Sequence, residues 1–587
     1  MVSVRSRWCG FRQVRHFTAA ATLVLGLAAC AQAPRRPVAS PTAARATAAQ
    51  PLAHLVVVTP DADHDLLAQL MAGDMALGNT NLKAAAQHYG KAMAISNDPA
   101  VAERAAVLAI AVHDDAAASR ALDRWQALGA KPEAMALARA QLALDRGDTP
   151  GAQQQLRILT GSHGKNAWRD FGQVLFNARD QAQAGQLLVA LATPQRLPAD
   201  PQAWLAMSQL GEKLNRPAYA QRIADAAIAR FPGNADICIW SAQLKAGSGD
   251  AEGARALLQQ AIAKAPDNVR LRLVYASMLS QSGDDAAAMK LLERGPQNAD
   301  TYQLRAALAV HDKNNKAIAA LYRELQRAAP DVRTQNAFLL GQLAEMQHRD
   351  NEALAWYGQV GDDDPHAFDA DLRSALLLQL QGKHADAHQL LGQMETDYLD
   401  QPDELRQAWQ FDAEIYLQQQ DYTQAINAFT HALQVAPDDP DSLYGRGLAH
   451  TSAGQIDLAV QDFRRLLALR PNDIDAANAL GFTLADADRD LPEAERLIAR
   501  ARAAKPNDPA IADSWGWVQY RLGHLDQAAQ ALRGAWQASK DPDIGVHLGE
   551  VLWKQGDHQG AQKVFDAVRK LDPHNANLQD TLRRLNP

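Results

Sequence analysis

Apolar and polar residues alternate along most of this chain at the three-to-four-residue spacing of helices that bury one face. Towards the C-terminal end the spacing itself repeats. Ala425, Phe429 and Ala432 precede Pro437 by twelve, eight and five residues, and Ala459, Phe463 and Leu466 stand in the same relation to Pro471. Ala561, Phe565 and Val568 do so before Pro573. Pro437 and Pro471 are 34 residues apart, and Pro573 lies 102 residues, three such steps, beyond Pro471. A unit of that length holds two helices and a turn, and it cannot bury its apolar face alone, so units must stack. The pattern predicts an all-α chain, a superhelical solenoid of antiparallel helix pairs. Residues three and four apart share a helix face, so each Ala–aromatic–Ala stripe packs on a neighbouring helix. Each proline ends a second helix, because it lacks an N–H and restrains the residue before it.

The same reading extends upstream. A first helix pair is expected over about 64–95, broken at Gly78-Asn79, with further pairs at about 99–128 and 132–160. Trp168 falls in the next first helix, before a turn at Arg179-Asp180. Trp204 opens a unit closed by Ala220, Ala224, Ala227 and Pro232, and Pro266 closes the next one 34 residues later. Units follow at about 267–296, 298–330, 331–362 and 366–396. From Trp409 the pattern is regular, and it survives a one-residue insertion between Asp486 and Asp490 before Ala494, Ile498, Ala501 and Pro506. The next unit has Lys540 in place of its proline. These signals divide the chain into an irregular array over 64–400, a regular array over 401–573 and a capping helix over 574–587.

Composition agrees with a helical stack. Aromatic residues are only 6% of the chain, and small residues recur where helices must approach. The net charge is −8, and residues 1–29 carry Arg5, Arg7, Arg12 and Arg15 with no acid, leaving −12 for the rest. Such an acidic body argues against nucleic acid as a partner, which requires basic surface to displace counterions. Three cysteines, Cys9, Cys30 and Cys238, offer neither a zinc spacing nor a disulfide framework. Cys238, in the run Ile237-Cys238-Ile239-Trp240, reads as a small buried hydrophobe. No metal site, cofactor or catalytic constellation is read. Gly164-Lys165 lacks a phosphate loop's other residues, with Leu159 at the first glycine position and Asn166 at the hydroxyl position. The aspartates at 362–364 and at Asp438-Asp439 fall at helix starts, where free N–H groups favour acids.

The N-terminus reads as an address. Residues 1–16 are basic and 17–27 apolar, which is a signal-peptide pattern too short to span a bilayer. The stretch ends in Leu27-Ala28-Ala29-Cys30, which resembles the lipobox of bacterial lipoproteins. The resemblance implies a signal peptide over 1–29 and lipid attachment at Cys30, with fatty acyl chains of the palmitate class on its sulfur and new amino group. Each buried methylene contributes about 0.8 kcal/mol, so several chains on one residue hold firmly. Ala31 follows, where aspartate marks inner-membrane retention in enterobacterial lipoproteins, so the periplasmic face of the outer membrane is favoured. Residues 30–63 are rich in Ala, Pro and Thr and read as a disordered tether with a span of roughly 30 Å. Its apolar run Leu55-Val56-Val57-Val58 is either part of that tether or a strap against the first helices.

The 34-residue unit itself resembles the tetratricopeptide (TPR) repeat. In such arrays the first helices line a concave face, which would place Tyr444, Phe482, Trp517, Tyr520 and Trp553 as a protein-binding ladder, with Arg446 and Lys554 at its rim. Trp515 reads as core. The Lys/Asn clamp of some tetratricopeptide domains is not evident at these positions. Together with the lipobox, several phrases make the chain similar to proteobacterial outer-membrane tetratricopeptide-repeat lipoproteins. They include Asp98-Pro99-Ala100-Val101-Ala102-Glu103-Arg104, Asn478-Ala479-Leu480-Gly481-Phe482-Thr483, Asp513-Ser514-Trp515-Gly516-Trp517-Val518 and His547-Leu548-Gly549-Glu550-Val551-Leu552-Trp553. One branch of that family is an adaptor for a periplasmic carboxy-terminal processing protease and its peptidoglycan hydrolase substrates. The resemblance implies that role, and no enzymatic activity, for this chain; the alternative is a scaffold for an envelope export or assembly complex, such as polysaccharide secretion.

Overall fold

The computed structural model describes residues 64–161 and 166–585; the signal peptide, Cys30 and the tether lie outside them. The described residues form thirty-two helices and no strand. None of these helices is long and apolar enough to cross a membrane. They divide by contact into two units, 64–308 and 309–585, with the division inside the helix Ala299–His311.

In the first unit, hairpins run from Leu66–Gly78 with Leu82–Ile95 to Val269–Gln281 with Asp285–Leu292. Aspartates start many of the helices: the Ala100 N–H donates to Asp98 Oδ1 at 2.9 Å and the Gly253 N–H to Asp250 Oδ1 at 2.8 Å. Each such bond satisfies an N–H that the helix cannot. The core fills with small and branched side chains, Ala102, Ala106, Leu156, Phe171, Leu188 and Ile223 among them. Cys238 is 3% exposed among Ile239, Ala254 and Leu258, and burial raises its thiol pKa.

In the second unit the hairpins sharpen into near-copies. Tyr422–Val435, Ile456–Leu469, Leu491–Ala504 and His558–Leu571 each end two residues before Pro437, Pro471, Pro506 and Pro573. Leu525–Ser539, whose unit has no proline, instead stops at Lys540 in a left-handed conformation with φ 55°. The one-residue insertion appears as two left-handed aspartates, Asp488 and Asp490, the second capping Leu491–Ala504. Phe429, Phe463 and Phe565 are each at most 2% exposed, each preceded by a fully buried alanine and followed by buried Ala432, Leu466 or Val568. Here the first helices of successive hairpins pack on one another: Pro440–Ser452 on Ile474–Asp486, then Pro509–Arg521, then Pro542–Lys554. The second helices make no comparable contact among themselves. The first helices therefore form the inner layer of this unit. Ala576–Leu585, the last of the described helices, packs on Pro542–Lys554 with Arg583 and Asp580 exposed.

Candidate protein-binding face

On the inner layer of the second unit, side chains from successive first helices join in one connected row. Asp486, exposed at the end of Ile474–Asp486, accepts the Trp517 indole N–H at 3.0 Å. The Trp517 ring stacks on His547 with centroids 4.3 Å apart and 28° between planes. His547 Nδ1 lies 2.8 Å from Asp513 Oδ1, and both residues are buried. Phe482 closes the other side, its ring centroid 6.0 Å from that of His547. One turn on, the Tyr520 hydroxyl donates to Glu550 Oε1 at 3.1 Å. Arg584 of the last described helix donates to both Glu550 oxygens, at 3.1 and 2.9 Å.

The electrostatics follow from this packing. Burial works against a charged His547, but the Asp513 carboxylate and its hydrogen bond, with Asp486 adding, outweigh it and raise the imidazole pKa. The Tyr520 hydroxyl is pushed up to about 12, first by burial and then by Glu550. Arg446 makes a two-pronged pair with Asp462, Nε to Oδ2 at 2.8 Å and the second nitrogen to Oδ1 at 2.7 Å. The Arg446 guanidinium also donates to Thr430 Oγ1 of the preceding hairpin, so it is held between its own hairpin and the one before. Among the described residues, no group of three or more His, Cys, Asp or Glu side chains is placed to hold a metal ion.

The five aromatics named from the repeat pattern occupy unlike environments. Phe482 and Trp517 are 1% and 3% exposed, and Tyr444 is buried with its ring edge-on to Phe463, centroids 5.9 Å apart. Tyr520 and Trp553 are partly exposed, Trp553 with His558 edge-on at 4.1 Å and Lys554 exposed beside it. Trp515, expected in the core, packs against it but stays partly exposed, with the Arg502 guanidinium 5.2 Å from its ring. The reason is that Trp517 is covered from the next unit by His547, a contact thirty residues away that helix periodicity does not announce. The aromatic ladder did not include Asp486, Asp513, His547, Glu550 and Arg584, which complete the row. A signal for them existed, since Asp513 to His547 and Glu550 to Arg584 are each one 34-residue step. What the row offers chemically is a partly exposed aromatic edge beside carboxylates and a lysine, with no nucleophile or proton-transfer pair open to a substrate.

Two tetratricopeptide-repeat family models match the chain, one at residues 137–203 and 413–474, the other at 245–310 and 520–585. A TPR repeat-containing protein of Pseudomonas aeruginosa is 36% identical over 213 residues, covering 36% of this chain and 35% of that protein. Bacteriophage adsorption protein A of Escherichia coli K12 is 28% identical over 101 residues, 17% of this chain and 10% of that one. This chain thus spans about a third or less of the length of these two relatives. A tetratricopeptide repeat protein from Parabacteroides merdae superposes with a TM-score of 0.38 at 14% identity, over 43% of this chain and 99% of that one. Cut9–Hcn1 of the APC/C superposes with a TM-score of 0.31 at 15% identity, over 88% and 96%. With its 34-residue hairpins and these repeat matches, the chain carries tetratricopeptide repeats, a helical scaffold suited to protein–protein interaction.

Proposed function

We propose that this protein is a lipid-anchored adaptor on the periplasmic face of the outer membrane, docking a carboxy-terminal processing protease and its cell-wall hydrolase substrates. The observation that carries the proposal is the joining, in one chain, of Leu27-Ala28-Ala29-Cys30 behind a basic and then an apolar stretch with an array of tetratricopeptide hairpins. An acylated cysteine fixes the array at a membrane surface, and an array of this kind presents a long face to proteins. The similarity of the Asn478, Asp513 and His547 phrases to outer-membrane tetratricopeptide lipoproteins supports the finer reading. On the inner layer of the second unit, Tyr520 and Trp553 supply rigid amphipathic surface suited to an extended peptide or a helix. The protein contributes position rather than chemistry: it raises the local concentration of protease and substrate on one scaffold.

Crosslinking in cells followed by affinity purification of the lipidated chain tests this. A serine protease with a peptide-binding domain is the expected capture. Recovery of secretion components without any protease would replace the adaptor by an export scaffold. Recovery of a non-acylated chain would remove the anchor.

A further inference from the structure

The two ends of the array are finished differently. At the C-terminal end of the described residues, Ala576–Leu585 leaves Asp580 and Arg583 exposed to solvent. At the other end, the helix Leu66–Gly78 packs inward through Gln69 and Gly73 with Leu66, Leu70 and Leu77, against Tyr89 and its neighbours. Its outer face is a stripe of Leu67, Met71 and Met75, which are 66%, 57% and 67% exposed. Met75 and Leu67 are the two most exposed large apolar side chains in the described residues, and Met71 lies between them on the same face. An apolar stripe on the outermost helix needs a cover.

We propose that the cover is the chain's own run Leu55, Val56, Val57 and Val58, laid along this stripe as an extended strap. Reach is the first argument. Only residues 59–64 separate Val58 from the helix-capping Asp65, and six residues span up to roughly 20 Å. Thr59-Pro60-Asp61 supplies the turn residues that reverse the chain. Fit is the second. Alternate residues of an extended segment, such as Leu55 and Val57, point the same way about 6.7 Å apart. Leu67, Met71 and Met75 step along the helix by about 6 Å. Size is the third, and it decides against a second copy of the chain. A thirteen-residue helix offers a strip of about 20 Å by 10 Å, on the order of 200 Å². A stable dimer buries about 800 Å² on each partner. A strip of that size suits a short tethered segment, whose attachment raises its effective concentration into the millimolar range.

The stripe's methionines make the test direct, because exposed Met oxidises to the sulfoxide and buried Met does not. The full chain is treated with dilute hydrogen peroxide, and oxidation at Met71, Met75 and Met346 is followed by mass spectrometry. Met346, 44% exposed on the helix Ala337–Met346 of the second unit, is the reference. The strap predicts that Met71 and Met75 oxidise about threefold or more slowly than Met346, and that Val57→Asp or Leu55→Asp abolishes this protection at every protein concentration. Oxidation of Met71 and Met75 at least as fast as Met346 in the unsubstituted chain overturns the proposal. So does protection that survives both substitutions. Protection that disappears on dilution assigns the stripe to a second copy and also overturns it. As a second measurement, a photoreactive benzoylphenylalanine at Met71 is expected to crosslink within the same chain to residues 52–58. A crosslink to another copy, or to any other segment, rejects the strap.

Discussion

His547 and Asp513 meet across the junction of two successive hairpins, imidazole Nδ1 to carboxylate Oδ1 at 2.8 Å, under the ring of Trp517. The pair raises the His547 pKa above the ordinary histidine value, against the opposing effect of burial. A histidine with a raised folded-state pKa adds stability that is complete below the unfolded value, near pH 6.5, and is lost as pH rises through the folded value. His450 in the same unit acts in the opposite sense, since burial lowers its pKa. The two are separated by difference. Thermal unfolding of the unsubstituted protein and of His547→Gln, compared from pH 6 to pH 9, should show a stability gap that narrows as pH rises above about 6.5. A gap independent of pH would mean that His547 stays neutral and contributes packing alone.

Trp517 and Trp553 were both expected on the binding face, and the structure separates their roles. Trp517 is 3% exposed, stacked on His547 and hydrogen-bonded to Asp486. Trp517→Ala should therefore destabilise the second unit by about 3–5 kcal/mol, the usual cost of deleting a buried aromatic. Trp553 is partly exposed, and Trp553→Ala should change stability by less than about 1 kcal/mol while weakening partner capture tenfold or more. Denaturant unfolding and pull-down of crosslinked partners, run on the same preparations, measure both. Unimpaired capture by Trp553→Ala would move the binding face away from this helix.

What could be read in advance followed a physical divide. The stripe Ala425, Phe429 and Ala432, and its copies around Phe463 and Phe565, belong to single helices whose periodicity is local, and all are buried as the spacing required. Pro437, Pro471 and Pro573 act by forbidding a backbone conformation, which is equally local, and each lies two residues past its helix. Contacts between units were less legible. Trp515 and Trp517 are two residues apart on one helix, and which of them is covered depends on His547 in the following unit. The exposed stripe of Leu67, Met71 and Met75 was also hidden, because that helix is apolar nearly all round and its period does not say which face meets Tyr89.

Gly549 and Phe565 show how tightly one hairpin closes. A Cβ on Gly549 would overlap the Phe565 ring, so the absence of a side chain lets the two helices approach. Gly549→Ala should destabilise by about 1–3 kcal/mol through overpacking. Phe565→Ala should cost about 3–5 kcal/mol by leaving a cavity. In the double variant the new methyl occupies part of that cavity, so the combined loss should be smaller than the sum of the two single losses. Denaturant midpoints at constant slope measure this coupling. Strict additivity would show that the helices have moved apart and no longer share the contact.

The turns inside the hairpins carry a stored cost that can be removed. Each of several turns passes through one left-handed residue, at Gly454 with φ 73°, but at Gln420 with φ 62°. An L-residue held there costs roughly 1–2 kcal/mol, because its Cβ crowds the following carbonyl. Gln420 is exposed, and replacing it by glycine removes that crowding at the price of a more flexible unfolded chain, leaving a net gain of about 0.5–1 kcal/mol. Gly454→Ala should run the other way, losing about 1 kcal/mol or more. The two substitutions lie in adjacent hairpins and touch no residue of the binding row, so partner capture should be unchanged in both. Calorimetric unfolding reads the sign directly. A loss of stability in Gln420→Gly would mean that the glutamine side chain itself holds the turn.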